Sequence, residues 1–226
     1  MANYFMTILI TAGPTREAID PVRYLSNHSS GKMGYAIADV AAGKDQRVIL
    51  ISGPTDSSLE IPDGVDFIPV NSAADMYEAV ERWIGKADIA IFAAAVADYR
   101  PLEIAEQKIK KVGEEMTLSL VKNPDILGST REVFSFGGTL VGFAAETENV
   151  VKNARGKLLK KGCDMVVAND VSRQDIGFNS DENEVILVFR DDEEILKKAD
   201  KHRIAHIVVK VAIGMEKDRQ NSALLG

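Results

Sequence analysis

The stretch Tyr24-Leu-Ser-Asn-His-Ser-Ser-Gly-Lys-Met-Gly34 gathers hydroxyls, an amide and glycines between an apolar run, Thr7–Ala12, and a small-residue helical pattern, Tyr35–Ala42. Those residue types suit an anion. The first N–H groups of a helix point at the ligand, glycine permits close approach, and the helix dipole adds partial positive charge. Ser29, Ser30 and Gly31, with Gly13 from the preceding Gly13-Pro14-Thr15 loop, are therefore the candidate phosphate cradle. An ordinary capped loop with Ser29 or Ser30 as N-cap explains the same residues. Pattern alone leaves both readings open.

Cations come next. Lys108, Lys110 and Lys111 follow an apolar strand pattern, and Lys157 and Lys161 are spaced to share one helix face. Together they can neutralise a polyphosphate, although lysines in such places are usually just solvated. Asp98 closes the run Ala93-Ala-Ala-Val-Ala-Asp98. The alanines let a flat base approach the backbone, and a carboxylate there accepts from an exocyclic amine or caps a turn. His28 reads as a structural hydrogen-bonder. His202 and His206 are spaced i, i+4, but no glutamate motif accompanies them, so they read as helix surface. Cys163 reads as a buried spectator.

Composition limits the partners. The chain has 226 residues, 46% of them hydrophobic, and a net charge of -7. With a pI near 5.1, general nucleic-acid binding is not expected. One cysteine excludes a disulfide framework and a cysteine-rich metal site. The first residues, Met1–Met6, lack a signal-peptide pattern. The longest apolar run, Ile89–Ala97, falls far short of the roughly 20 residues of a membrane span. The expectation is a cytoplasmic protein without a membrane partner.

The elements that must position these residues alternate. Strands are predicted at Thr7–Ala12, Arg47–Ser52, Val65–Val70, Ala87–Val96, Thr139–Ala145 and Asp164–Ala168. Helices are predicted at Gly34–Ala42, Ala73–Ile84, from Asn123 as N-cap with Pro124 in the first turn, and at Thr147–Lys161. Lys108–Val121 reads as an excursion outside the sheet, a flap within residues 99–121. Glu184–Phe189 suggests a last strand or hairpin, and Ala199–Ile213 a last helix. The tail from Glu216 is expected to fray. The alternation predicts one α/β domain: a Rossmann-like, open, mainly parallel sheet with helices on both faces. Ligands bind such sheets beyond the carboxyl ends of the strands. Neither G-x-G-x-x-G nor G-x-x-x-x-G-K-[ST] occurs, and the second strand ends without a carboxylate, which argues against a dinucleotide site and a P-loop.

From about Thr7 to Ile213 the chain resembles the phosphopantothenate–cysteine ligases of coenzyme A biosynthesis, of the bacterial, CTP-dependent type. The resemblance rests on Gly13-Pro-Thr-Arg-Glu17, Asp20-Pro-Val-Arg23, Ser26-Asn-His-Ser-Ser-Gly-Lys-Met-Gly34, Ala94-Ala-Val-Ala-Asp-Tyr-Arg100, Lys108-Ile-Lys-Lys111, Lys122-Asn-Pro-Asp-Ile126, Gly142-Phe-Ala-Ala-Glu-Thr147, Ala168-Asn-Asp170 and Gly177-Phe-Asn-Ser180. It implies a ligation through an acyl-cytidylate, with CTP as co-substrate, Mg²⁺ carried by the nucleotide, no protein-held metal and no flavin. It implies a homodimer, and a separate or fused decarboxylase in the pathway. Asn27 matches the asparagine that handles the activated acyl group, and Lys108 the lysine of the mobile flap. Phe92, Ala93, Ala94, Asp98, Pro124, Asp125, Ile126, Leu127, Phe143, Lys157 and Lys161 match the nucleotide pocket. A nicotinamide-dependent reductase and a non-catalytic nucleotide binder are the competing expectations.

Overall fold

The computed structural model describes residues 5–111, 113–172 and 182–225. The motif Gly177–Ser180 lies outside them. β1 (Thr7–Ala12) is followed by a hairpin of β2 (Arg16–Asp20) and β3 (Arg23–Ser26), then α1 (Lys32–Ala42), β4 (Arg47–Ser52), β5 (Val65–Pro69) and α2 (Ala73–Ile84). Then come β6 (Ile89–Phe92), a ribbon of β7 (Tyr99–Pro101) and β8 (Leu120–Lys122), α3 (Ile126–Glu132), β9 (Thr139–Glu146) and α4 (Val150–Lys161). The chain continues through β10 (Met165–Asp170), the hairpin of β11 (Glu182–Val188) and β12 (Glu193–Asp200), and α5 (Lys201–Leu225).

Eight strands form the main sheet in the order β12-β11-β10-β9-β6-β1-β4-β5. It is parallel from β10 to β5, with the β11–β12 hairpin antiparallel at one edge. Central strands read as unbroken apolar runs because both faces are covered. Ile8 and Ile10 of β1 and Ile89 and Ile91 of β6 pack into the core under α1 and α5. Leu9, Ala90 and Phe92 pack into the opposite core, under α2, α3 and α4. From β1 the chain runs outward through β4 and β5, then returns to β6 and runs the other way. The order therefore reverses between β1 and β6, and ligands of open α/β sheets bind at such a switch point.

Several predicted boundaries differ. Residues 16–26 form the β2–β3 hairpin, not a loop. β6 ends at Phe92 rather than Val96, because the backbone beyond it bonds to the extension of β1: Ala95 N donates to Gly13 O at 2.9 Å and Thr15 N to Ala95 O at 3.3 Å. In the excursion, Tyr99–Pro101 pairs with Leu120–Lys122, and Met116 is exposed. The α1 N-cap is Gly31, left-handed at φ 79°, and neither Ser29 nor Ser30 provides a side-chain cap. The α3 N-cap is Asp125, which accepts from Gly128 N at 2.9 Å, so Pro124 precedes the helix. Asn123 instead donates its amide to Ala97 O at 2.8 Å.

The tail does not fray. α5 continues through Glu216, which is 4% exposed and accepts from both Thr139 N and Thr139 Oγ1 at 2.8 Å. Among the described residues no helix is long and apolar enough to cross a membrane.

Candidate active site

Two adjoining cavities open beyond the ends of β1, β6 and β9. The larger, about 570 Å³, is lined on one side by Phe92, Ala94, Val96, Ala97, Asp98 and Tyr99. Its other walls are Lys122 to Leu127 and Phe143, with Lys157, Lys160 and Lys161 of α4. The smaller, about 280 Å³, lies between the start of α1 (Ser29 to Gly34) and Asn169, Asn183 and Lys201. Ala93 lines the smaller cavity, while Ala94, Val96, Asp98, Phe143 and Lys157 line both.

Local sequence builds each wall. Gly34 lets α1 start hard against β1, since a Cβ there would stand 2.5 Å from Ala12 Cβ. Gly31 in the left-handed region turns the chain into the helix without a side-chain cap. The result is a helix N-terminus facing a cavity, where its dipole favours negative charge. The N-terminus of α3 lies on the larger cavity.

The cations on α4 are held by specific contacts. Lys157 Nζ donates to Phe143 O at 2.6 Å, and burial pushes its ammonium below the ordinary lysine range. Lys161 pairs with Asp125. Burial opposes charge on Asp125, but hydrogen bonds from Lys161 and Gly128 N outweigh it and leave the carboxyl below its usual range. Cys163, beside this wall, is buried, and burial pushes its thiol up to about 11. A thiol so protonated is no nucleophile at neutral pH, which agrees with a spectator role.

Asn27 lies in a third hollow with Ser29, Ser30 and Lys32, which also line the smaller cavity. Its amide donates to Ala95 O at 3.0 Å. Asn27 thus sits at the rim of the cradle rather than in the larger cavity.

Two expected residues stand elsewhere. Lys108 is exposed and lines neither cavity. Its loop is tied to the β2–β3 hairpin: Asp20 Oδ2 accepts from Ile109 N at 3.1 Å, and Arg23 donates to Ile109 O at 3.0 Å. The Arg23 guanidinium, together with nearby backbone N–H groups, holds the Asp20 carboxyl well below the usual range. Gly13 lines neither cavity and acts by packing, since a Cβ there would meet Gly53 O at 2.8 Å.

Sequence reasoning missed Lys160, Asn169, Asn183 and Lys201. Lys160 carried a signal, standing three residues from Lys157 on the same helix; Asn169 lay within a quoted motif but was given no role. Nothing local marked Asn183 or Lys201. His202 Nε2 lies 2.8 Å from Asp39 Oδ2, and the His202 and His206 rings meet edge to face at 5.1 Å. Among the described residues no three histidine, cysteine or acidic side chains converge as for a metal ion.

The arrangement can hold a polyphosphate at one helix start and a nucleoside beside a lysine wall. Comparison with known proteins gives the family. The model of the family described as "DNA/pantothenate metabolism flavoprotein C-terminal domain" matches residues 5–215. The coenzyme A biosynthesis bifunctional protein CoaBC of Vibrio parahaemolyticus is 51% identical over 201 residues, 88% of this chain and 50% of that protein. The Escherichia coli K12 protein of the same name is 45% identical over 207 residues, 90% of this chain and 50% of that one. The chain spans about half the length of these curated relatives. A crystal structure of the C-terminal domain of CoaBC superposes with a TM-score of 0.80 at 40% identity, covering 96% of this chain and 100% of that chain.

Proposed function

The chain belongs to the family of DNA/pantothenate metabolism flavoprotein C-terminal domains, and from that premise we propose that it joins 4'-phosphopantothenate to L-cysteine at the expense of CTP. The observation that carries this reading is the pair of adjoining cavities at the switch point, with α1's N-terminus in one, the α4 lysines in the other and Lys157 in both. Two anionic reactants can meet only where their charge is offset, and this acidic chain sets Lys122, Lys157, Lys160 and Lys161 along the larger cavity.

In the first step a carboxylate oxygen of phosphopantothenate attacks the α-phosphorus of CTP, and the bond to the bridging oxygen breaks to release pyrophosphate. In the second, the cysteine amine attacks the acyl carbon of the acyl-cytidylate, loses a proton, and expels CMP. Ser29, Ser30 and Gly31 cradle phosphate. Phe92, Ala94, Phe143 and residues 124–127 enclose the nucleoside, and Lys157 and Lys161 offset its charge. Asn27, at the cradle's rim, donates to the acyl oxygen as negative charge builds in the second step. Lys108 serves only if its loop moves away from Asp20 and Arg23.

Mg²⁺ would ride on the triphosphate, which would supply most of its ligands, and would offset the phosphate charge that repels the incoming carboxylate. Asp98, among the described residues the one carboxylate lining the smaller cavity, stands where the two cavities join. That place suits the base contact expected from the sequence as well as the triphosphate and its cation. No flavin enters. The expected assembly is a homodimer, and the decarboxylase that supplies the next step is a separate or fused partner.

The test is a product assay. Protein with Mg²⁺, CTP, phosphopantothenate and cysteine should release pyrophosphate and CMP, faster than with ATP. Release of a nucleoside diphosphate and phosphate would overturn the mechanism. Tight NADPH binding with no response to CTP would favour a reductase. Asn27→Asp should accumulate the acyl-nucleotide, visible by mass spectrometry; normal turnover would remove Asn27 from the second step.

A further inference from the structure

The two cavities share a stretch of wall, Ala94, Val96 and Asp98, that belongs to no strand. β6 leaves its ladder at Phe92, and backbone outside a ladder must find other partners. Two buried threonines supply acceptors. Thr11 Oγ1 accepts from Ala94 N at 3.3 Å, and Thr15 Oγ1 accepts from Ala97 N at 3.0 Å. Thr11 is 1% exposed and Thr15 is 0% exposed. Asn123 holds the other side of the stretch, its amide donating to Ala97 O at 2.8 Å and its backbone N–H to Asp98 O at 2.8 Å.

Thr11 also lines the larger cavity, whereas Thr15 lines neither cavity nor the hollow that holds Asn27. Any part Thr15 has in the reaction is played through other residues, and its contacts say which. Its N–H donates to Ala95 O at 3.3 Å, and its carbonyl accepts from Ser26 Oγ at 2.8 Å. Asn27 Nδ2 donates to the same Ala95 O at 3.0 Å. One buried residue thus ties the wall, through Ala95 and Ala97, to the end of β3, through Ser26. The Asn27 amide hangs from the carbonyl that Thr15 also holds. Valine would fill the same space as threonine, but only a hydroxyl can fix Ala97 N.

We propose that Thr15 is a positioning residue of the ligation: it sets the Asn27 amide in register with the Ala94–Asp98 wall, so that the donor to the acyl oxygen and the nucleotide stand at a fixed separation. The inference rests on the ligase reading. Misplacing a reacting group by about 1 Å costs roughly 100-fold in rate. The remaining walls of the larger cavity, from α3, Phe143 and α4, belong to other elements. Loss of the Thr15 hydroxyl should therefore fall on turnover far more than on nucleotide binding, and most heavily on the step that Asn27 serves.

The full chain, Thr15→Val, Thr15→Ser and Ser26→Ala are compared by thermal unfolding, by steady-state kinetics and by mass spectrometry of the reaction mixture, at a temperature where each is folded. Thr15→Val should lose about tenfold or more in kcat, keep KM for CTP within about threefold of the parent, and accumulate the acyl-nucleotide. Thr15→Ser, which restores the hydroxyl, should recover most of kcat. Ser26→Ala cuts the tie to β3 at an exposed residue, and should lower kcat and raise the acyl-nucleotide by about threefold or more. If Thr15→Val does not fold, Ser26→Ala decides, and parent-like turnover there would overturn the proposal. Parent-like kcat in Thr15→Val, or a raised KM for CTP at unchanged kcat, would overturn it too. Equal losses of kcat and melting temperature in Thr15→Val and Thr15→Ser would make Thr15 purely structural. If the parent releases no pyrophosphate from CTP with both substrates present, the ligase reading fails and this inference with it. If the parent is active and Thr15→Val matches it, only the inference fails.

Discussion

Lys157 lines both cavities, and its position carries a measurable cost. Burial holds its pKa below the ordinary lysine value of 10.5. The unfolded chain then binds more protons than the folded one over the window just below 10.5, so this group's contribution to stability rises with pH there. Lys157→Met should therefore melt higher than the parent at pH 7 without ligand, the gap closing as pH approaches 10.5. Cys163 works oppositely. Raised from 9.0 to about 11, it contributes stability that is full below pH 9 and lost as pH rises through about 11. Cys163 is common to the parent and the variant, so the difference between their melting curves isolates the lysine. The same variant should lose roughly 10- to 100-fold in CTP affinity, as expected for one charge-assisted hydrogen bond. A variant that melts lower and binds CTP normally would refute both parts. At this scale the sequence was legible where chemistry lies within a few residues. Lys157 and Lys161 share a cavity wall as expected because they stand four apart on one helix. Lys201 was illegible because only the fold of a distant hairpin carries it to the α1 N-terminus.

Elements were legible wherever burial on both faces writes an apolar run, as in β1, β4, β9 and β10. They were not where long-range contacts decide. Nothing in Met215–Gly226 announces a helix end that matters, because Glu216 finds its partners at the first residue of β9, far away in sequence. There Thr139 N and Oγ1 both donate to it at 2.8 Å, and Arg219 of the next turn pairs with Asp164. Residues 16–26 read as a loop since neither strand of that hairpin buries a continuous face. If Glu216 anchors α5 to the sheet, Glu216→Ala leaves the buried Thr139 hydroxyl without its acceptor, while Thr139 N keeps Asp88 O at 3.0 Å, a loss of about 1–3 kcal/mol. Chemical denaturation should show that loss with an unchanged denaturant slope. The cavities lie beyond the other ends of the strands, so CTP affinity measured well below the midpoint should hold. A change under about 0.5 kcal/mol would return the tail to a passive role.

At the scale of the whole molecule, the two ribbons outside the main sheet are unexplained by the monomer. β2 packs beside β7, and the ribbons and the loop between β7 and β8 expose Val22, Tyr24, Tyr99, Leu102, Ile104 and Leu120, with Leu102 and Ile104 more than 60% exposed. Exposed apolar side chains on such ribbons suit a surface that another chain would cover. The occupant argued for is a second copy, the homodimer that the family resemblance implies, since a two-fold axis lets one patch cover itself. A stable interface of this kind buries about 800 Å² per partner. The ribbons also flank functional groups: β3 leads directly into Asn27, and the β2–β3 turn holds the Lys108 loop through Asp20 and Arg23. The cavities, by contrast, are built on the main sheet and its helices. Leu102→Glu with Ile104→Glu should therefore divide the assembly into single chains in sedimentation velocity. Turnover should fall by at least tenfold, while CTP affinity stays within about threefold of the parent. If the parent sediments as one chain at micromolar concentration, or the double variant stays paired, the second copy does not sit on this surface. If the separated chains turn over normally, the ribbons serve assembly and not the reaction.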